Sequence, residues 1–191
     1  MFLRLVRPAV LLLLAMTLLT GIVYPVVITG IARLAFPHEA AGSLVHRDGK
    51  LIGSTLIGQS FSDPAHFWGR PSATTPQPYN GTASTGSNLG PLNPALIDAV
   101  KANAKALRDA DPEHRAQVPV DLVTASASGL DPEISPAAAE YQVPRVAKAR
   151  GLPVEKVRAL VQAHRHGRLL GLIGEARINV LELNLALDDL K

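Results

Sequence analysis

A chain of 191 residues has room for one ordinary domain and a short extra element. It holds no cysteine, which excludes disulfides and thiolate metal sites and leaves the fold to stand on its core alone. Arg4, Arg7 and Arg33 are three of its 19 basic residues, and the other 16 share the rest of the chain with all 16 acidic ones. That remainder is formally neutral, which argues against a nucleic-acid partner, because phosphate binding needs a concentrated basic surface.

The first element lies between Arg7 and Arg33. Residues 8–32 are 25 consecutive uncharged residues, including Leu11 to Leu14. As a helix they reach roughly 37 Å, enough to cross a hydrocarbon core of ~30 Å with some tilt. Lipid offers the backbone no partners, so the crossing segment should be helical. Pro25, after Tyr24, removes one donor and predicts a kink or a neighbouring helix that tolerates it. Small residues such as Gly21, Thr29 and Gly30 suit close helix packing. A cleaved signal peptide is the rival reading, with Arg4 and Arg7 as its basic region and Gly30-Ile31-Ala32 as a loose cleavage site. The apolar run is much longer than a usual signal core, which favours a retained anchor. Arg4, Arg7 and the terminal amine precede the run, and only Arg33 follows closely, with Glu39 nearby. The positive-inside bias therefore predicts a cytoplasmic N-terminus and a domain outside.

Beyond the anchor, Ser43 to Ile52 reads as a hairpin, with Asp48-Gly49 as a tight primed turn. Leu56-Ile57 and Phe61 suggest continued extended, sheet-forming chain. From Pro64 to Pro94 the chain is rich in Gly, Pro, Ser, Thr and Asn, and a loop this long is usually functional. Asn93 then caps a helix with Pro94 at its first position, and Leu96, Val100 and Leu107 form its apolar face. Val118 to Val123 reads as a short strand. Ser135-Pro136 opens a second helix running to Arg150, bent by Pro144 and closed by Gly151. Pro153 starts a third, with Val154, Val157, Leu160 and Val161 buried and Gly167 at its end. The tail 178–190 alternates like a strand from Leu181 to Leu187, yet Asn179 followed by Glu182 resembles a capped helix start, which we prefer. The fold class is α+β: a transmembrane helix over residues 1–35, then one mixed extracytoplasmic domain over 36–191.

No Gly-x-Ser-x-Gly elbow, His-Glu-x-x-His, P-loop or Gly-x-Gly-x-x-Gly occurs. His164 and His166, two apart on a helix, would point to different faces and make a poor metal pair. Ser72, His66 and Asp63 are close in sequence, but no oxyanion donors accompany them. More distinctive are Gly58-Gln59-Ser60-Phe61, Phe67-Trp68-Gly69-Arg70-Pro71-Ser72-Ala73-Thr74, Tyr79-Asn80, Thr85-Gly86-Ser87-Asn88-Leu89-Gly90-Pro91-Leu92-Asn93-Pro94, Leu122-Val123-Thr124-Ala125-Ser126-Ala127-Ser128-Gly129-Leu130-Asp131-Pro132 and Ile134-Ser135-Pro136. These are turn-forming stretches with few charges that hold themselves by side-chain-to-backbone bonds. They suit a rigid recognition surface as well as a reaction centre.

These stretches resemble the C subunit of the bacterial Kdp-type potassium-transporting ATPase. The resemblance runs from Thr20-Gly21 and Tyr24-Pro25 to Leu183-Asn184-Leu185-Ala186-Leu187-Asp188. It implies a non-catalytic, single-pass subunit of a high-affinity potassium uptake complex in the bacterial inner membrane. The implied partners are a channel-like potassium-translocating subunit, a P-type ATPase subunit and membrane lipid. The missing Asp-Lys-Thr-Gly phosphorylation loop agrees with hydrolysis on a partner. The family is described as a catalytic chaperone that raises the ATPase subunit's affinity for ATP. The resemblance thus implies nucleotide contact by Ser84, Gly86, Ser87, Asn88 and Gln142, with no tightly bound cofactor; Thr85 stands where the family pattern carries glycine. Gly21, Tyr24, Pro25, Gly69, Arg70, Pro71 and Ser72 are the structural or interface candidates. By residue chemistry alone, Ser87 and Asn88 suit turn capping, and Gln142 suits hydrogen bonding within or between helices. The alternative is a soluble periplasmic binding protein or enzyme released by signal cleavage.

Overall fold

A computed structural model describes residues 2–190, and the chain divides after Ile52 into two compact units. The first begins with an apolar helical stretch, α1 (Phe2–Leu18), a π-helical turn (Leu19–Val23) and α2 (Tyr24–Ala35). The segment Arg4–Ala35 is long and apolar enough to cross a membrane, and none of it is buried. The π turn is how the helix absorbs Pro25. One wide turn, closed by the Tyr24 N–H bonding back to Leu19 O, moves the mismatch upstream of the proline. Thr20 donates to Met16 O at 2.7 Å in the same region. The helical run is continuous through Pro25, with the irregularity placed just before it.

A short helix α3 (Pro37–Ala40) leads to strands β1 (Leu44–Arg47) and β2 (Lys50–Ser54), which pair as the predicted hairpin. Asp48 and Gly49 both take positive φ, 52° and 74°, as a primed turn requires.

The second unit is built on helices α4 (Pro94–Ala110), α5 (Pro136–Arg150), α6 (Val154–Ala163) and α7 (Val180–Asp188). A small antiparallel sheet orders β3 (Glu133–Ile134), β5 (Arg177–Asn179) and β4 (Arg165–His166) with β5 central. The predicted caps are in place. Asn93 Oδ1 accepts from Ala95 N at 2.9 Å, Ser135 Oγ from Ala138 N at 3.0 Å, and Asn179 Oδ1 from Glu182 N at 3.1 Å. The tail is therefore a helix, entered from a three-residue strand. Gly151 ends α5 in the left-handed region, φ 64°. The core joins Val143, Val146, Val157, Val161, Ile178, Leu183 and Leu187 to Phe67, the one large side chain that the irregular loop buries completely.

Four local expectations fail, the simplest at Val154, which is 39% exposed in the first turn of α6 and no part of its buried stripe. Val118–Val123 is not a strand: residues 120–122 form a 3₁₀ turn after Pro119, and Val120 O accepts from both Thr124 N and Thr124 Oγ1. Leu56, Ile57 and Phe61 join no strand, because Ser54 Oγ captures Leu56 N and Ser54 O captures Ile57 N in a turn. Helix α6 stops at Ala163, short of Gly167, and the His164 ring bonds Leu160 O at 3.0 Å while the chain turns into β4. His166 consequently sits in a strand and not on a helix.

Candidate functional site

Helix α5 grips the start of the loop. Gln142 and Arg145, both on its buried face, reach the segment from Asp63 to Trp68. Gln142 Oε1 accepts from Trp68 N at 2.8 Å and from Arg145 Nη2 at 2.7 Å, while Nε2 donates to Trp68 O at 3.1 Å and Ala138 O at 3.2 Å. Asn184 on α7 treats the preceding residue the same way, accepting from Phe67 N at 2.8 Å and donating to Phe67 O at 2.9 Å. Two side-chain amides thus replace strand partners for two successive residues and let an irregular segment enter the core without orphaned polar groups. Arg145 also donates to the carbonyls of Pro64 and His66 and stacks over Trp68, 4.4 Å from the ring centroid. Burial lowers its pKa to about 10, which leaves it charged at neutral pH.

An ionic latch lies beside this clamp. His66 approaches Asp63 at 3.3 Å and Asp188 at 3.1 Å, and Arg150 donates to Asp188 and to Ala65 O. Burial pushes the Asp188 carboxyl up, but hydrogen bonds from Arg150 and His66 outweigh it and hold the pKa below its ordinary value. A depressed carboxylate adds stability above its unfolded pKa and loses it as pH falls through the folded one. Thermal melts of the full chain in detergent should therefore fall off below about pH 4. Asp188→Asn should flatten that acid limb, and an unchanged limb would show that the latch contributes nothing.

The distinctive stretches meet at a second place. The loop from Ala125 to Asp131 is a hub. Gly58 N donates to Leu130 O at 2.9 Å, and Arg70 pairs with Asp131 at 3.0 Å and donates to Ala125 O at 3.3 Å. Ser72 Oγ donates to Gly129 O at 2.6 Å, and Thr85 N and Ser84 Oγ both reach Ser128 O at 3.0 Å. Tyr79 closes the junction, its hydroxyl donating to Arg70 O at 2.5 Å. Burial, aided by the Asp131 charge, raises its pKa to about 12. An open cleft of about 380 Å³ borders the junction, lined by Phe61, Trp68, Arg70, Tyr79 and Leu107 among others.

The two groups of nucleotide candidates come out separately. Gln142 uses both lone pairs and both N–H groups inside the fold and is 1% exposed, so its amide has no valence left for a ligand. Ser84 is bonded to the hub, and Gly86 packs on Ala127, whose carbonyl would lie 2.8 Å from an added Cβ. Ser87 and Asn88 are exposed, Asn88 with φ 52°, a value that asparagine tolerates. The described residues share no hydrogen bond between Gln142 and the 84–88 loop. Gly69, Arg70, Pro71 and Ser72 line the cleft, while Arg70 and Ser72 direct their polar atoms inward. Gly21, Tyr24 and Pro25 lie at the π turn and its exit. No serine–histidine–aspartate relay forms: Ser72 bonds Gly129 and Tyr79 while His66 pairs with two aspartates. No group of three potential metal ligands occurs among the described residues. Arg145 is not singled out by the sequence, and Asn184 and Asp131 enter there only within longer stretches. The only hint for Asn184 was a polar residue amid leucines, where a buried amide needs a partner.

Comparison with known proteins settles the relationship. The family model for the K+-transporting ATPase c chain matches residues 6–189. The chain belongs to the KdpC family. It is 67% identical over 188 residues to the potassium-transporting ATPase KdpC subunit of Polaromonas naphthalenivorans strain CJ2, covering 98% of this chain and 96% of that one. Similar proteins of the same name come from Sorangium cellulosum strain So ce56, 66% identical with 95% and 96% covered, and from Ralstonia nicotianae, 62% identical with 98% and 92% covered. KdpC-family membership makes this a membrane-associated subunit of a P-type potassium-transporting ATPase, and the reading as a free soluble binding protein or enzyme is not favoured.

Proposed function

We propose that this subunit is non-catalytic, holds the ATPase complex together, and presents its second unit on the outer side of the membrane, over the potassium entrance. The observation that carries this reading is the unburied apolar helix Arg4–Ala35 in a chain of the KdpC family. Arg4 and Arg7 before that helix, against Arg33 with nearby Glu39 after it, favour a cytoplasmic N-terminus and a periplasmic domain. Its partners are the potassium-translocating and ATP-hydrolysing subunits. In this reading ATP is bound and hydrolysed on the latter. Ser84, Gly86, Ser87, Asn88 and Gln142 serve the fold, and any chaperone effect on the partner's ATP affinity acts through contact between polypeptides. The filled valences of Gln142 support that assignment.

Protease added to intact spheroplasts should digest the second unit while leaving a membrane-embedded N-terminal fragment. Survival of the full chain until lysis would place the domain in the cytosol and overturn the reading. Supplying residues 36–191 as a secreted protein should not restore potassium uptake to cells lacking this subunit; full restoration would remove the anchor's role.

A further inference from the structure

Between β4 and β5 the chain forms a tight hairpin tip. Leu169 N bonds Ile173 O at 2.8 Å, and Gly171 N bonds Arg168 O at 3.0 Å. Four apolar side chains crowd this tip and face solvent: Leu169 65%, Leu170 85%, Leu172 83% and Ile173 63% exposed. Together they expose roughly 500 Å², towards the upper end of the largest apolar patch of a typical monomer. Leu170 also sits at φ 54°, in the left-handed region that bulky residues avoid. A polar asparagine or a glycine would relieve both penalties at an exposed turn, so the apolar chemistry itself is what this position supplies.

The flanks narrow down what covers the tip. Arg168 and Glu175 at its base pair with each other, Nη2 lying 3.0 and 2.8 Å from the two carboxylate oxygens. That pair is thus neutral, and residues 168–176 contain no tryptophan or tyrosine. Segments that dip into the membrane interface carry such aromatic anchors, so lipid is a poor match. A second copy is a poor match as well. A protruding tip is not complementary to itself, and roughly 500 Å² falls short of the ~800 Å² per partner in a stable isolated interface. A small patch is sufficient, however, when a membrane helix of the same chain already confines it beside its partner.

We propose that the Leu169–Ile173 tip is a docking finger that inserts into an apolar, uncharged pocket on a partner subunit of the same ATPase complex. The proposal rests on the reading of this chain as an assembly subunit. The test uses the full-length, epitope-tagged chain expressed with its partner subunits and purified in mild detergent. The double variant Leu170→Gly, Leu172→Ser should melt within a few degrees of the parent, because the tip supports no core, yet retain at least about tenfold less partner subunit. A photo-crosslinking amino acid in place of Leu172 should give an adduct with a partner polypeptide. Equal partner recovery by the variant, or adducts only with lipid or with a second copy, would overturn the finger while leaving the assembly reading intact. If even the parent chain recovers no partner subunit, the assembly reading itself fails.

Discussion

Replacing Gln142 or Asn184 by leucine should each destabilise the protein by roughly 2–5 kcal/mol. Each amide satisfies both the N–H and the C=O of one loop residue, Trp68 for Gln142 and Phe67 for Asn184. Leucine is of similar size and leaves little cavity, so the loss comes from two backbone groups stranded in the interior, at about 1–3 kcal/mol each. Gln142→Leu also strips one acceptor from Arg145, which is 5% exposed. Trp68 is the chain's only tryptophan, so urea denaturation of the full chain in detergent, followed by tryptophan fluorescence, reports on the clamped segment directly. The two amides hold adjacent peptide units, so the double variant should deviate from additivity by more than about 0.5 kcal/mol. A loss under about 0.5 kcal/mol for Gln142→Leu would mean that the amide is not structural, and would return it to the pool of possible ligand contacts.

Gly129→Ala should be damaging for a different reason. Gly129 lies in the hub at φ 68°, and an added Cβ would come 2.6 Å from both Thr85 O and Thr74 Cγ2. The conformation alone costs about 1–2 kcal/mol for a residue with a side chain. The collision adds more, because Thr85 O is held in place by backbone and cannot rotate away. A total loss of about 2–4 kcal/mol is expected. Gly151→Ala supplies the control. That glycine has a similar φ of 64° with nothing within 4 Å of the added carbon, so it should show the conformational part alone. Equal losses in the two variants would falsify close packing of the 84–86 and 125–131 loops, and with it the rigid junction of the distinctive stretches. Gly129→Asn sharpens the comparison, since asparagine eases the backbone term but still collides.

Elements with local causes could be read without a structure. The uncharged run from Pro8 to Ala32, the Asp48-Gly49 turn, and the caps at Asn93, Ser135 and Asn179 each depend on residues a few positions apart. The same locality explains the misses. Ser54 diverts the chain at Leu56 by a hydrogen bond to a neighbour, and Pro119 favours a turn where apolar residues suggested a strand. A helix preference strong enough to choose between two patterns at Leu181–Leu187 came from the capping pair Asn179 and Glu182.

What a linear reading establishes here is the membrane-length helix, the neutral α+β body behind it, and a likeness carried by long unusual loops. What folding alone reveals is the use of those loops. Gln142 and Asn184 meet their partners across 74 and 117 positions, and Arg70 meets Asp131 across 61. Propensity and periodicity describe near neighbours along the chain, whereas the partner of a buried amide is chosen by whichever distant backbone group the packed core brings within hydrogen-bond reach.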